Sequence, residues 1–185
     1  MLDSILQETE ERMQKAVEGL RHELAALRAG RANPALLEKV SVSYYGTPTP
    51  INQLATISAP EARLLVIQPW DRNILPEMEK AILKSDLGLT PNSDGTVIRI
   101  AIPQLTEERR TELVKVARKK AEEFRVQVRN ARREANDRLK AEEKSKTASE
   151  DEVKRAQEKV QKLTDNYIRA VDRVLANKEA EIMEV

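Results

Sequence analysis

The 185 residues include no cysteine, one histidine, one phenylalanine and one tryptophan. Without thiols there is no disulfide framework, no thiol catalysis and no Cys-ligated metal. His22 is the only imidazole, so no Ser/His/Asp set can be assembled beyond it, and no glycine-rich phosphate loop occurs. Aromatics are 3% of the chain, too few large rings for an ordinary sandwich or barrel core. No apolar run approaches the roughly 18 residues needed to span a bilayer. The N-terminus, MLDSILQETEERMQK, is acidic and polar, unlike a signal peptide. These absences predict a soluble, cytoplasmic protein with no membrane association, no metal and no cofactor, and they argue against an enzyme.

What is present is charge, at 34%, set against 40% hydrophobic residues. That balance suits helices burying Leu, Val, Ile and Ala along narrow seams. Three stretches carry the pattern. From Asp3 to Ala29, Met13, Val17, Leu20, Leu24 and Leu27 recur at spacings of four and three, with Ser4 and Gln7 at capping-box spacing and Gly30 as a stop. From Thr106 to Lys146 the seam is Leu113, Ala117, Ala121, Phe124, Val128, Ala131 and Ala135. From Glu150 to Met183 it is Val153, Ala156, Val160, Leu163, Tyr167, Val171, Val174 and Ile182, opened by a Ser149/Glu152 capping box. Such spacing predicts an elongated, coiled-coil-like bundle, with the polar link Ser145 to Ser149 turning the second helix back onto the third.

Residues 31–104 read differently. All eight prolines fall there, which the long helices avoid. Val40, Val42 and Tyr44 alternate as in a half-buried strand, and Tyr45-Gly46-Thr47-Pro48 follows as a turn. Leu64 to Ile67 is a short buried run, Ile74 to Lys84 reads as a helix, and Ser93-Asp94-Gly95 turns into a strand over Thr96 to Ile102. A compact α+β domain (31–104) is therefore expected inside a helical one (1–30 and 105–185). The chain crosses the junction twice, near Arg31 to Pro34 and near Pro103 to Leu105, which favours a hinge over a loose tether.

Net charge is only +1, so any nucleic-acid footprint must come from local segregation. The second long helix supplies it. Between Lys115 and Lys140 it carries ten bases against Glu122, Glu123, Glu134 and Asp137. Arg118, Arg125, Arg129 and Arg132 fall on one flank of the seam, with Glu122 the only acid among them. Lys119, Arg133 and Lys140 repeat at multiples of seven beside that flank. A basic edge on a rigid rod is what a phosphate-binding surface needs. It is also what a solvated helix with i,i+4 ion pairs looks like, and both readings stand at this point. The edge carries no aromatic side chain, which disfavours base stacking and favours folded RNA met through phosphate and shape. The acid pairs Glu10-Glu11, Glu107-Glu108 and Glu142-Glu143 lie on exposed helices and read as solvated faces. His22 reads as a surface or seam-edge residue, and Trp70, Tyr44 and Tyr45 as packing of the small domain.

Several stretches together closely resemble the ribosome recycling factor family. They are LRAGRANPALL (27–37), VSVSYYGTPTPINQLATI (40–57), PWDRN (69–73), EKAILKSDLGLTPNSDG (79–95), IRIAIPQLTEERRTELVK (98–115), VRNARREAN (128–136) and VQKLTDNYI (160–168). Ala29 and Met78 depart from residues common in the family, Thr and Ile. The resemblance implies a mostly helical α+β protein: an antiparallel three-helix bundle carrying a small β/α/β domain, L-shaped and monomeric. It implies a factor that binds the post-termination ribosome at the aminoacyl and peptidyl sites. With elongation factor G, which hydrolyses the GTP, it would promote splitting into subunits. Arg129, Arg132 and Arg133 are implied to contact large-subunit ribosomal RNA, supported by Arg28, Arg31, Arg110 and Arg125. Gly30, Pro34, Pro103 and Gln104 flank the implied hinge, and the small domain would meet elongation factor G. The residues alone also allow a coiled-coil adaptor without an RNA role, or a general RNA chaperone.

Overall fold

The structure, a computed structural model, describes residues 2–184. In chain order its regular elements are α1 (Leu2–Ala25), β1 (Ser41–Tyr44), β2 (Thr47–Pro50), β3 (Ala55–Glu61), β4 (Leu64–Pro69), α2 (Leu75–Lys84), β5 (Pro91–Ser93), β6 (Ile98–Ala101), α3 (Glu107–Lys144) and α4 (Glu150–Met183). The chain divides into two units, one running to Leu27 and resuming over Glu107–Glu184, the other Arg28–Thr106.

In the first unit α1, α3 and α4 pack pairwise as a bundle. Met13, Val17, Leu20 and Leu24 of α1, the Ala-rich seam of α3 and Val171 of α4 are buried, and Val153, Ala156 and Val160 of α4 form one core cluster with Ile5 of α1 and Ala135 and Leu139 of α3. Cross-helix contacts fix direction. Arg138 pairs with Glu8 and Lys120 with Glu23, so α3 runs antiparallel to α1. Tyr167 donates to Glu10 and Lys178 to the Leu27 carbonyl, so α4 runs parallel to α1. Phe124 is the one ring in this core. Gly19 makes room for it: a Cβ there would lie 2.8 Å from Phe124 Cε1. Buried Thr9 and Thr164 turn their hydroxyls back to the carbonyls of Ile5 and Val160, at 2.6 and 2.8 Å, which satisfies both buried donors.

Helix ends depart from the sequence reading in two places. Ser4 lies inside α1 and is not its N-cap. The same helix stops at Ala25, four residues before the expected end, although Ala26 to Ala29 are all good helix formers. Leu24 is its last buried position, and beyond it the chain leaves for the other unit. The Leu27 carbonyl is met by Lys178 Nζ at 2.8 Å, so tertiary contact overrides local propensity. The Ser149 cap is present, its Oγ accepting from Glu152 N at 3.1 Å. α3 ends in a Schellman motif: Lys146 N and Thr147 N donate to the Glu143 and Glu142 carbonyls at 3.1 Å each, with Lys146 at φ +58°.

The second unit runs β/α/β, as the resemblance implied, with its strands in two antiparallel sheets. β1 and β2 form a hairpin closed by Tyr45-Gly46, both at positive φ, as a tight two-residue hairpin turn requires. The other sheet has strand order β3-β4-β6-β5. Leu65, Ile67, Ile98 and Ile100 form its buried face, on which Met78 and Ile82 of α2 belong to the same core. Three strands went unpredicted because their residues argue locally against strand. β2 alternates Thr with Pro48 and Pro50, β3 contains Pro60, and β5 is three residues opening with Pro91. All three are edge strands, where proline is tolerated. Trp70 and Tyr45 stay 67% and 78% exposed, on the surface of this unit and outside its core.

Candidate nucleic-acid interface

A 38-residue helix that buries one residue in every three or four leaves two flanks free for charge, one toward α1 and one toward α4. On the α1 flank, Lys120, Glu134 and Arg138 pair with Glu23, Arg12 and Glu8. The α4 flank holds Arg118, Arg125, Arg129 and Arg132, and here the structure adds what a single-helix reading misses. Arg118 Nε donates to Glu179 at 2.6 Å, and Arg125 bonds Asp172 through Nε at 2.9 Å and Nη2 at 2.7 Å. Glu122 accepts from Arg125 at 3.0 Å and Arg129 at 3.1 Å. Three carboxylates, two of them from α4, therefore neutralise three of the four arginines.

These contacts set the local electrostatics. The Glu122 carboxyl is held below the usual carboxylate range, first by the hydrogen bond from Arg129 and then by that from Arg125. Its contribution to stability is present above the ordinary Glu range and fades as pH falls through the depressed value. Burial is the largest single influence on Arg125 and works against its charge, but Asp172 and Glu122 together outweigh it and the guanidinium is raised. With its side chain 19% exposed and three carboxylate contacts, Arg125 is a clamp between helices and the member of the predicted set least available to a ligand.

Arg132 is different. It makes no ion pair among the described residues, and its Nε is buried without an acceptor. Asn136, one turn further along the same flank, leaves its Oδ1 equally unmet. Arg133 is exposed and donates to Asn130 Oδ1 at 3.4 Å. Arg110, in the first turn of α3, is half-buried with an unmet Nε. Unmet buried donors are uncommon in folded proteins. Arg129, Arg132 and Arg133 thus share one stretch of α3. Arg28 and Arg31 are exposed and belong to the Arg28–Thr106 unit, where Arg28 donates to the Leu87 carbonyl.

Of the expected hinge residues, Gly30 takes φ +73°, and a Cβ there would lie 2.9 Å from Leu105 Cγ. The outgoing and returning chain segments therefore run in contact beside it. Pro34 opens a short 3-10 turn capped by Asn33, while Pro103 and Gln104 lie in irregular, exposed chain. No group of three or more metal-ligating side chains occurs among the described residues, and no helix is long and apolar enough to cross a membrane.

Fold and site define a class: a long-helix bundle interrupted by an α+β unit, whose surface chemistry along α3 is arginine and carboxylate. The family model described as "Ribosome recycling factor" matches residues 20–183. Ribosome-recycling factors of Moorella thermoacetica and Heliobacterium modesticaldum are 85% and 68% identical over 185 residues, covering all of both chains in each case. A solution structure of the ribosome recycling factor superposes with TM-score 0.79 at 50% identity, over 100% of this chain and 98% of that one. A second, with TM-score 0.67 and 52% identity over the whole of both chains, is the T. thermophilus factor in an assembly with E. coli elongation factor G bound to the E. coli post-termination complex. The chain belongs to the ribosome recycling factor family, translation factors and not enzymes.

Proposed function

We propose that this chain binds the post-termination ribosome through α3 and, with elongation factor G and its GTP hydrolysis, promotes dissociation into subunits with release of mRNA and tRNA. In this reading Arg129, Arg132 and Arg133 meet large-subunit ribosomal RNA at the aminoacyl and peptidyl sites, with Arg28, Arg31 and Arg110 in support. Arg125 has the smaller part, since its fork is filled by Asp172 and Glu122. The observation that carries the proposal is Arg132, a guanidinium without a carboxylate on a flank where the neighbouring arginines each have one.

The small unit is the part we assign to elongation factor G, and Gly30, Pro34, Pro103 and Gln104 to the hinge. The factor acts as a monomer in the cytoplasm and as a lever, since the nucleotide chemistry belongs to its GTPase partner. A salt titration of binding to isolated large subunits tests the RNA contact. Arg132→Ala is expected to bind at least tenfold more weakly, with a log–log salt slope shallower by about one phosphate contact. Gly30→Val, which strains the junction, should bind as wild type does yet split ribosomes more slowly. Unchanged affinity and slope for Arg132→Ala would remove this residue from the interface.

A further inference from the structure

Two rungs of an antiparallel ladder tie α3 to α4: Arg118 to Glu179 and Arg125 to Asp172. The two arginines are seven residues apart, and so are the two acids. Along a heptad seam the same step brings the next pair opposite one another, Arg132 on α3 and Asp165 on α4. The chain therefore carries a third rung with the right charges at the right spacing. That rung is not made. Arg132 has no carboxylate partner among the described residues and its Nε is unmet, while Asp165 accepts instead from Gln161 Nε2 at 2.9 Å, one turn away on its own helix. The same register places Asn136 opposite Gln161, and Asn136 Oδ1 is also unmet. Where the ladder should close, it presents an open donor and an open acceptor.

We propose that Gln161 is a positioning residue: by holding the Asp165 carboxylate along α4, it keeps the third rung open and the Arg132 guanidinium available to a ribosomal-RNA phosphate. The proposal rests on the reading of Arg132 as an RNA contact. A carboxylate and a phosphate compete for the same planar fork, so an Asp165–Arg132 pair is an internal competitor of the ligand. Gln161 and Asp165 are both exposed, and an i,i+4 pair of this kind supports a helix only slightly, so its removal leaves the bundle folded.

The test compares Gln161→Ala, Asp165→Ala, the double variant and Arg132→Ala in the full-length protein. Two readouts are needed: affinity for isolated large subunits across a salt series, and hydrogen exchange at Arg132 Nε–H by NMR in the free protein. Gln161→Ala is expected to lose at least about fivefold in affinity, to flatten the salt slope as Arg132→Ala does, and to slow exchange at Arg132 Nε–H. Adding Asp165→Ala should restore wild-type values of all three, which a merely structural loss would not allow. A double variant as weak as Gln161→Ala, or a single variant with unchanged binding and exchange, overturns the proposal. Slowed exchange with unchanged binding means the rung closes but Arg132 does not serve the RNA, which overturns this proposal and the assignment of Arg132 together. Should Arg132→Ala itself bind as wild type does, the failure lies in that assignment, and the inference built on it falls too.

Discussion

Lys178 sits where the α4 heptad calls for an apolar residue, between Val174 and Ile182, and its side chain is buried. It is stable there because Nζ donates to the Leu27 carbonyl at 2.8 Å and pairs with Glu181 at 3.1 Å. A buried ammonium with two oxygen partners replaces the glycine expected to end α1, and a pattern search that skips charged residues passes over it. Gly19 is the converse, a residue with poor helix propensity retained because Phe124 needs its space. Gly19→Ala would gain about 1 kcal/mol in propensity and lose about 1–3 kcal/mol to overpacking against a ring walled in by the bundle. We expect a net loss of about 1 kcal/mol, read as a lower urea midpoint at unchanged m-value. A higher midpoint would mean that Phe124 has room to move.

Among the elements, α3 and α4 were legible nearly to their ends because apolar seam positions recur along most of their 38 and 34 residues. The strands were legible only where they are buried. β4 and β6 show as Leu64 to Ile67 and Thr96 to Ile102, whereas β2, β3 and β5 form from pairing at sheet edges against the local preference of their prolines. The candidate site was legible as a list of arginines, because a helical wheel sorts one helix. Which of them are occupied was not, since Glu179 and Asp172 reach the flank from α4 and only the antiparallel register reveals it. The α3–α4 turn holds a further element-scale test. Lys146 adopts φ +58° at a position glycine prefers, so Lys146→Gly is expected to stabilise the bundle by about 1 kcal/mol. A raised Tm by calorimetry would agree; a lowered one would show that the lysine side chain contributes more than its backbone strain costs.

For the whole molecule, the two units solve different problems with one chain. The bundle has few large side chains and is tied by charge across its seams, with Arg138, Lys120 and Arg12 latched on one side of α3 and Arg118 and Arg125 on the other. These pairs engage four of the ten bases between Lys115 and Lys140 with carboxylates of the neighbouring helices. What is left over is local, and it centres on Arg132. The α+β unit has its own aliphatic core, and within it the outgoing and returning chain segments lie side by side at Gly30 and Leu105.

The central claim is that Arg132, without a carboxylate among the described residues, serves the ribosome, while Arg118 and Arg125, tied to α4, serve the bundle. Light scattering of post-termination ribosomes mixed with elongation factor G, GTP and wild type, Arg132→Ala or Arg118→Ala tests it most directly. The account predicts a fast scattering drop with wild type that needs both factors, a drop of similar rate with Arg118→Ala, and at least a tenfold slower one with Arg132→Ala. Equal rates for Arg132→Ala and wild type, or loss with Arg118→Ala in a protein that remains folded, would contradict it.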